Sequence, residues 1–294
     1  MVTTRDRREA YRTFAPPLDS ALGWRLVDAD VRAGVATFSD FVERAFAIAF
    51  DQAASPDERR NVLSHLDETM RVGSAGQRGT RAVDASADAE RVASTRRILD
   101  DDSLSLDLAA HVLQAAMKTA LGIRIQNWSE LLLYCRYAAH PKAQVLLALA
   151  GETDERARHA ANALVSAGFI VHSVLNFRRD FGVSGRLLLP EDWFRQEGIA
   201  PEVLARPEPS PAAQAVLGHA ASGVHRLLAD ARPLARVIRN RGLRAELVSS
   251  ACLTAHIASH FRDPRALAAE ARPSAFTRGR CAAFGLVRGF LVNR

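Results

Sequence analysis

Between positions 172 and 194 the chain reads HSVLNFRRDFGVSGRLLLPEDWF. His172, Asn176 and Asp180 recur there at intervals of four, with Arg179 beside the last. On a helix that spacing stacks the three side chains on one face. A carboxamide, a carboxylate and a guanidinium converging at a helix end suit a metal–phosphate ligand. Mg²⁺ takes oxygen donors, typically one or two carboxylates plus phosphate oxygens, and arginine grips a phosphate through paired N–H bonds. A Gly185–Arg186 corner follows, then Leu187–Leu188–Leu189–Pro190 and an acidic helix start.

The apolar stripe Val165, Phe169 and Leu175, with no internal proline, predicts one helix over 155–180 beneath that face. Upstream, Ser39 or Asp40 can cap a helix running to about Ala54, and Ser55-Pro56-Asp57 starts another that continues to Val72. The Gly-, Ser-, Ala- and Asp-rich stretch Gly73–Ala89 reads as a surface loop within one domain. Helices are expected at 90–99, 105–122, 128–135 and 141–150, and, after the proline-rich break Pro201–Pro211, at 212–229, 231–241, 243–260 and 264–271. The apolar segment 275–291 packs back on the body, and residues 1–23 form an arm ended by Pro16-Pro17. The natural division is 1–37, arm and first helix, and 38–294, helical domain. No stretch sustains a period of two and no internal repeat is visible, so the fold class is all-α.

At 294 residues and 48% hydrophobic, the chain can bury one large core or two modest ones. No apolar run reaches membrane-spanning length, and the charged N-terminus has no hydrophobic region behind it. A cytoplasmic protein with no integral span is the expectation. Cys135, Cys252 and Cys281 make no close-spaced metal pattern and read as reduced thiols. The net charge of +6 comes almost wholly from arginine, since Lys118 and Lys142 are the only lysines. That charge is spread among acids along the chain, without a basic helix interleaved with aromatics, so no nucleic-acid partner is expected. Cys252, His256 and His260 share one helix face, as zinc ligands or as a packed stripe; without an acidic or cysteine partner at matching spacing, packing is favoured. Neither a nucleophile elbow nor a phosphate-cradling glycine loop is present.

The order Asn176, Arg179, Asp180, then Gly185, Arg186, Leu189 and Pro190, resembles the second signature of the squalene/phytoene synthase family. The intervening Phe181–Ser184 is shorter than in the family and carries no acid, and Leu188 stands in place of a tyrosine. Trp128-Ser129-Glu130-Leu131 followed by Tyr134-Cys135-Arg136-Tyr137-Ala138-Ala139 is similar to the family's middle signature, on a helix that lines the hydrocarbon pocket. Tyr134 and Tyr137 read equally as core aromatics. The first acidic helix, Asp-Asp-x-x-Asp in the family, has its counterpart in FAIAFDQAAS. There Asp51 keeps one carboxylate while Gln52 and Ser55 replace the other two; a solvated residue at a helix C-terminus is the plainer reading of Asp51. Arg272-Pro273 echoes the C-terminal helices.

The resemblance implies a single-domain isoprenoid-synthase-type helical bundle with a central cavity, and Mg²⁺-assisted ionisation of an allylic prenyl diphosphate. Asp51, Asn176 and Asp180 would be the metal ligands, fewer than the family's full acidic set, with Arg179 joining them in catalysis. Arg178, Arg186 and Lys118 would supply further positive charge around the diphosphate. Phe50, Tyr134, Phe169, His172 and Phe177 would line the substrate site and shield the cation. So few acids organise one diphosphate rather than two. That points to prenyl transfer onto a non-phosphorylated, electron-rich aromatic ring, as in the carbazole prenyltransferases of this superfamily. The ordinary head-to-head condensation and an inactive binding relative are the alternatives.

Overall fold

The structure, a computed structural model, describes residues 24–72, 82–206, 210–262 and 273–291. The expected arm at 1–23, the loop over 73–81, the helix expected at 264–271 and Arg272 lie outside the described residues.

A one-turn 3₁₀ segment, Trp24–Leu26, precedes α1, Ala29–Phe50. The helix starts well before the expected caps because Val31, Val35, Phe38, Phe41, Val42, Ala45, Phe46 and Ala49 form an unbroken buried stripe. Ser39 therefore lies inside α1, donating its hydroxyl to the Val35 carbonyl at 2.6 Å, and Asp40 pairs with Arg91. α2, Pro56–Val72, begins where expected, behind a reciprocal cap: Ser55 N–H donates to the Glu58 carboxylate at 2.7 Å and Glu58 N–H to Ser55 Oγ at 3.3 Å. α3, Ala82–Asp101, takes in residues expected to be loop, and Asp88 there accepts both arms of Arg44 at 2.8 Å.

α4, Asp107–Ala120, α5, Trp128–Ala138, and α6, His140–Leu149, lead to the central helix α7, Glu155–Leu175. Residues 163–174 of α7 are all buried, which requires neighbours on every side. The predicted helix 155–180 does not run through. Asn176 takes φ −100°, ψ 3°, and a second helix, α8, covers Phe177–Ser184. The Asn176 side chain donates to the His172 carbonyl at 2.9 Å, the local competition with backbone that asparagine offers. Bonds from Asn176 N–H to His172 O and from Asp180 N–H to Asn176 O persist, so the axis kinks without fully separating.

Short helices α9, Glu191–Gln196, and α10, Pro201–Ala205, cross to α11, Pro211–Ala231. The helix expected at 231–241 shrinks to one turn, α12, Leu234–Val237. Buried Glu152 takes the backbone N–H groups of Arg239 and Asn240, each at 2.7 Å, turning the chain into α13, Arg241–Ser259. A 3₁₀ turn, His260–Arg262, follows, and α14, Ala275–Leu291, packs lengthwise on α13. A Cβ on Gly285 or Gly289 would collide with Ala245 and Ser249, so glycine sets that close approach. The same contact brings Cys252 and Cys281, both free, to a sulfur separation of 3.0 Å, a pairing invisible in their spacing.

Among the described residues there is no strand, only an isolated bridge between Arg124 and Leu187. One apolar core runs through α1, α4, α5, α7 and α11. The fold is all-α and single-domain. No helix among the described residues is long and apolar enough to cross a membrane.

Candidate active site

The chain leaves α8 through Gly185, whose φ of 66° is the left-handed conformation that glycine adopts without strain. The turn delivers Arg186 into the core. Its guanidinium donates to the Ala49 carbonyl at 2.9 Å and lies 4.4 Å from the centre of the Phe50 ring. The strand-like segment behind it is pinned: Leu187 bridges Arg124, Glu191 N–H donates to Ile125 O, and the Glu191 carboxylate pairs with Arg124. The end of α1 and the corner after α8 are thus joined across 137 residues.

Arg186 also acts on Tyr134, its charge favouring the phenolate, although burial dominates and pushes that hydroxyl well above the usual tyrosine range. The Tyr134 hydroxyl and Thr119 Oγ1 are 2.6 Å apart, and its ring lies 5.5 Å from Phe169. Phe50 meets Phe46 at 6.3 Å. Phe50, Tyr134, Phe169 and Arg186, expected as substrate-site residues, are therefore one buried cluster carrying one cation.

At the kink, His172 is buried and its ring is 2.9 Å from the Asn176 amide nitrogen. His172 thus orients Asn176, with Asp180 one turn further on. Phe177 stacks on Phe181 at 5.2 Å and on Phe194 at 6.1 Å, securing α8 against α9.

Three expected residues are placed differently. Asp51 is not on a helix, because α1 ends at Phe50. It is exposed, and its carboxylate accepts Ala53 N–H at 3.0 Å. Arg178 donates to the Arg206 carbonyl at 2.6 Å, tying α8 to the end of α10. Lys118 is exposed, 5.4 Å over the Tyr137 ring. Of Arg179 the backbone alone is described, within α8.

One residue escaped the sequence reading. Arg59 donates to the Asp51 carbonyl at 2.9 Å and to the Ala120 carbonyl at 2.8 Å, fixing the Asp51 loop beside the end of α4. Its signal was an arginine in the first turn after the loop, where a helix N-terminus disfavours cations. Trp128 and Glu130 of the middle signature serve the scaffold instead. Glu130 and Asn127 form a cap at the start of α5, and the Trp128 ring fills the space a Cβ on Gly223 would need.

A profile described as "Squalene/phytoene synthase" matches residues 19–276. The chain belongs to the squalene/phytoene synthase family. Among curated relatives of the family, the hydroxysqualene synthase of Rhodopseudomonas palustris is 28% identical over 201 residues, 68% of each chain. Among solved structures, a dehydrosqualene synthase in complex with a ligand superposes with a TM-score of 0.71 at 14% identity, over 96% of both chains. The squalene synthase of Alicyclobacillus acidocaldarius gives 0.65 at 18%, over 90% of this chain and 98% of its own. The isoprenoid-synthase fold and a prenyltransferase of squalene/phytoene synthase type follow.

Family membership implies Mg²⁺, and the donors present can be tested against it. Asp180 and Asp51 offer carboxylates and Asn176 an amide, whereas no group of three His, Cys, Asp or Glu suited to a metal occurs among the described residues. Carboxylate and amide oxygens are donors of the kind Mg²⁺ takes, and phosphate oxygens would have to complete its shell.

Proposed function

We propose that this family member transfers an allylic prenyl group from its diphosphate to a non-phosphorylated, electron-rich acceptor, an aromatic ring of carbazole or indole type. The observation carrying this reading is the first acidic station. Asp51 is its one carboxylate, it stands beyond the end of α1, and Gln52 and Ser55 occupy the neighbouring places. Two diphosphates in one cavity need several cations and their carboxylates; one diphosphate needs far fewer.

Mg²⁺, when held by Asp180, Asn176 and Asp51 together with phosphate oxygens, would supply the Lewis-acid pull on the leaving group. His172 keeps the Asn176 amide oriented, and Arg179, the residue before Asp180 in the chain, would meet the diphosphate. As the allylic C–O bond breaks, the faces of Phe50, Tyr134 and Phe169 would stabilise the cation and exclude water. The acceptor carbon attacks, the ring proton is lost, and diphosphate leaves. Arg186, already engaged with Ala49 and Phe50, holds the wall in place and contributes fixed positive potential.

The second reading is head-to-head condensation of two prenyl diphosphates. It is supported by the likeness to the R. palustris hydroxysqualene synthase. Incubation with Mg²⁺ and farnesyl or geranylgeranyl diphosphate, with and without phenolic and indolic acceptors, separates the two. A prenylated acceptor is the expected product; a C30 or C40 hydrocarbon or alcohol from diphosphate alone establishes the second reading. No product and no thermal stabilisation by Mg²⁺ with a prenyl diphosphate overturns both, because a ligand stabilises only a state it binds.

A further inference from the structure

Helix α14 is built inside out. Its small residues, Cys281, Ala282, Gly285 and Gly289, face α13, and its large apolar side chains face away. Phe276 is 75% exposed, Leu291 72%, Val287 53%, Phe284 47% and Phe290 44%. At about 100° per residue these five fall within an arc of roughly 120°, and the helix carries them along about 25 Å. Half of the exposed large apolar side chains among the described residues sit on this one helix.

Every charged side chain of α14 itself is an arginine. Arg278, Arg280 and Arg288 are exposed on α14, and Arg280 lies within the apolar arc. Arg288 extends over the Phe284 ring at 5.6 Å, its charge at the edge of the stripe. On the helix beneath, Arg244 donates to the Gly289 carbonyl, which places the start of α13, with exposed Arg241 and Arg239, beside the end of α14. The sole carboxylate of α13 and α14 together, Glu246, is fully buried.

We infer that the outer face of α14, Phe276, Phe284, Val287, Phe290 and Leu291 rimmed by arginine, docks the protein onto an anionic lipid bilayer. An apolar stripe sinks into the acyl boundary while arginines reach phosphate headgroups, the arrangement of a helix lying in the interface. The helix is not one that spans a membrane. A protein groove would also accept the stripe, but the arginines within it and at its edge, Arg280 and Arg288, favour an extended array of anions. This inference stands apart from the proposed reaction and does not depend on it.

The test is co-sedimentation of the full chain with phosphatidylcholine vesicles, with or without phosphatidylglycerol. Binding is expected to be about thirtyfold stronger on the anionic vesicles, at about 1 kcal/mol for each of Arg280 and Arg288 near the surface, and to weaken in high salt. Val287→Asp with Leu291→Asp should abolish sedimentation, as should Arg280→Glu with Arg288→Glu, each leaving circular dichroism and the thermal midpoint unchanged because all four side chains are exposed. Absence of binding to anionic vesicles, equal binding to pure phosphatidylcholine, or binding untouched by both double variants overturns the inference. So does a concentration-dependent dimer that disappears in Val287→Asp/Leu291→Asp, which would assign the stripe to a second copy of the chain.

Discussion

Arg186 caps Phe50. The guanidinium lies 4.4 Å from the centre of the ring, and its Nη2 donates to the carbonyl of the residue before, Ala49, at 2.9 Å. A cation buried at 8% exposure, with one face on an aromatic ring, couples the end of the first helix to the turn after the Asp180 helix. The Gly-Arg of the second signature is therefore a joint between the end of α1 and the turn after α8.

Replacing Arg186 by alanine should destabilise the fold by about 2–3 kcal/mol, the scale of a buried charge-assisted hydrogen bond together with a desolvated cation–π contact. Arg186→Lys keeps the charge but loses the planar fork that serves carbonyl and ring together. It should fall between the two in urea midpoint and lose most turnover. Wild-type stability in Arg186→Ala would mean that the joint carries no load.

Asp180 and Asp51 should differ in their effect on catalysis. Asp180→Asn is expected to lower turnover by about 100-fold or more, with the fold intact, by removing the carboxylate of the second signature. Asp51→Asn keeps an oxygen for Ala53 N–H and loses the charge; a decrease of about tenfold is expected. EDTA should suppress diphosphate release in the wild type. Unchanged kinetics in Asp51→Asn would remove the α1 exit from the mechanism, and indifference to chelation would leave arginine as the activator.

The sequence made the elements with one dominant apolar period legible. The apolar segment expected over 275–291 is a helix with those bounds, and Ser55, Pro56 and Asp57 marked the start of α2. Errors arose where a local signal competed with packing. Ser39 and Asp40 look like caps, yet the stripe of α1 carries through them, because burying Phe38 and Phe41 outweighs a cap worth about 1 kcal/mol. The kink at Asn176 is a side-chain choice that periodicity does not encode. Within the site, Phe50, Tyr134 and Phe169 are candidates by position and Arg186 by the second signature, and the structure buries all four. Arg59 was missed, since its partners are two backbone carbonyls, one of them 61 residues away.

Tyr134 should act as a ring and not as a hydroxyl. Thr119 Oγ1 donates to the Ala115 carbonyl at 2.8 Å, so the tyrosine is the donor in the 2.6 Å pair, and burial keeps it protonated. Tyr134→Phe removes that bond and should cost about 1 kcal/mol with turnover changed less than about twofold. Tyr134→Leu removes the face opposite Phe169 and should lower kcat far more. A large loss of activity in Tyr134→Phe would give the hydroxyl a chemical role.

His140, at the start of α6, makes the stability of the fold depend on pH. Burial, with Arg136 and His159 adding to it, lowers its imidazole from 6.5 to about 4, and a ring nitrogen lies 2.9 Å from Ser166 Oγ. The helix N-terminus also disfavours the imidazolium. In the unfolded chain the ring takes up a proton near its ordinary value, whereas the folded state does not until the pH is far lower. The unfolded state thus binds more protons between those two values, and stability falls as the pH drops from 6.5 toward 4. The loss is on the order of 2–3 kcal/mol across that window and absent above it. His140→Gln retains a partner for Ser166 and cannot titrate. Its urea midpoint should decline less steeply than the wild type's over the same window, the difference between the two curves being the histidine's share. Parallel curves would show that the imidazole is protonated in the folded chain as readily as in the unfolded one.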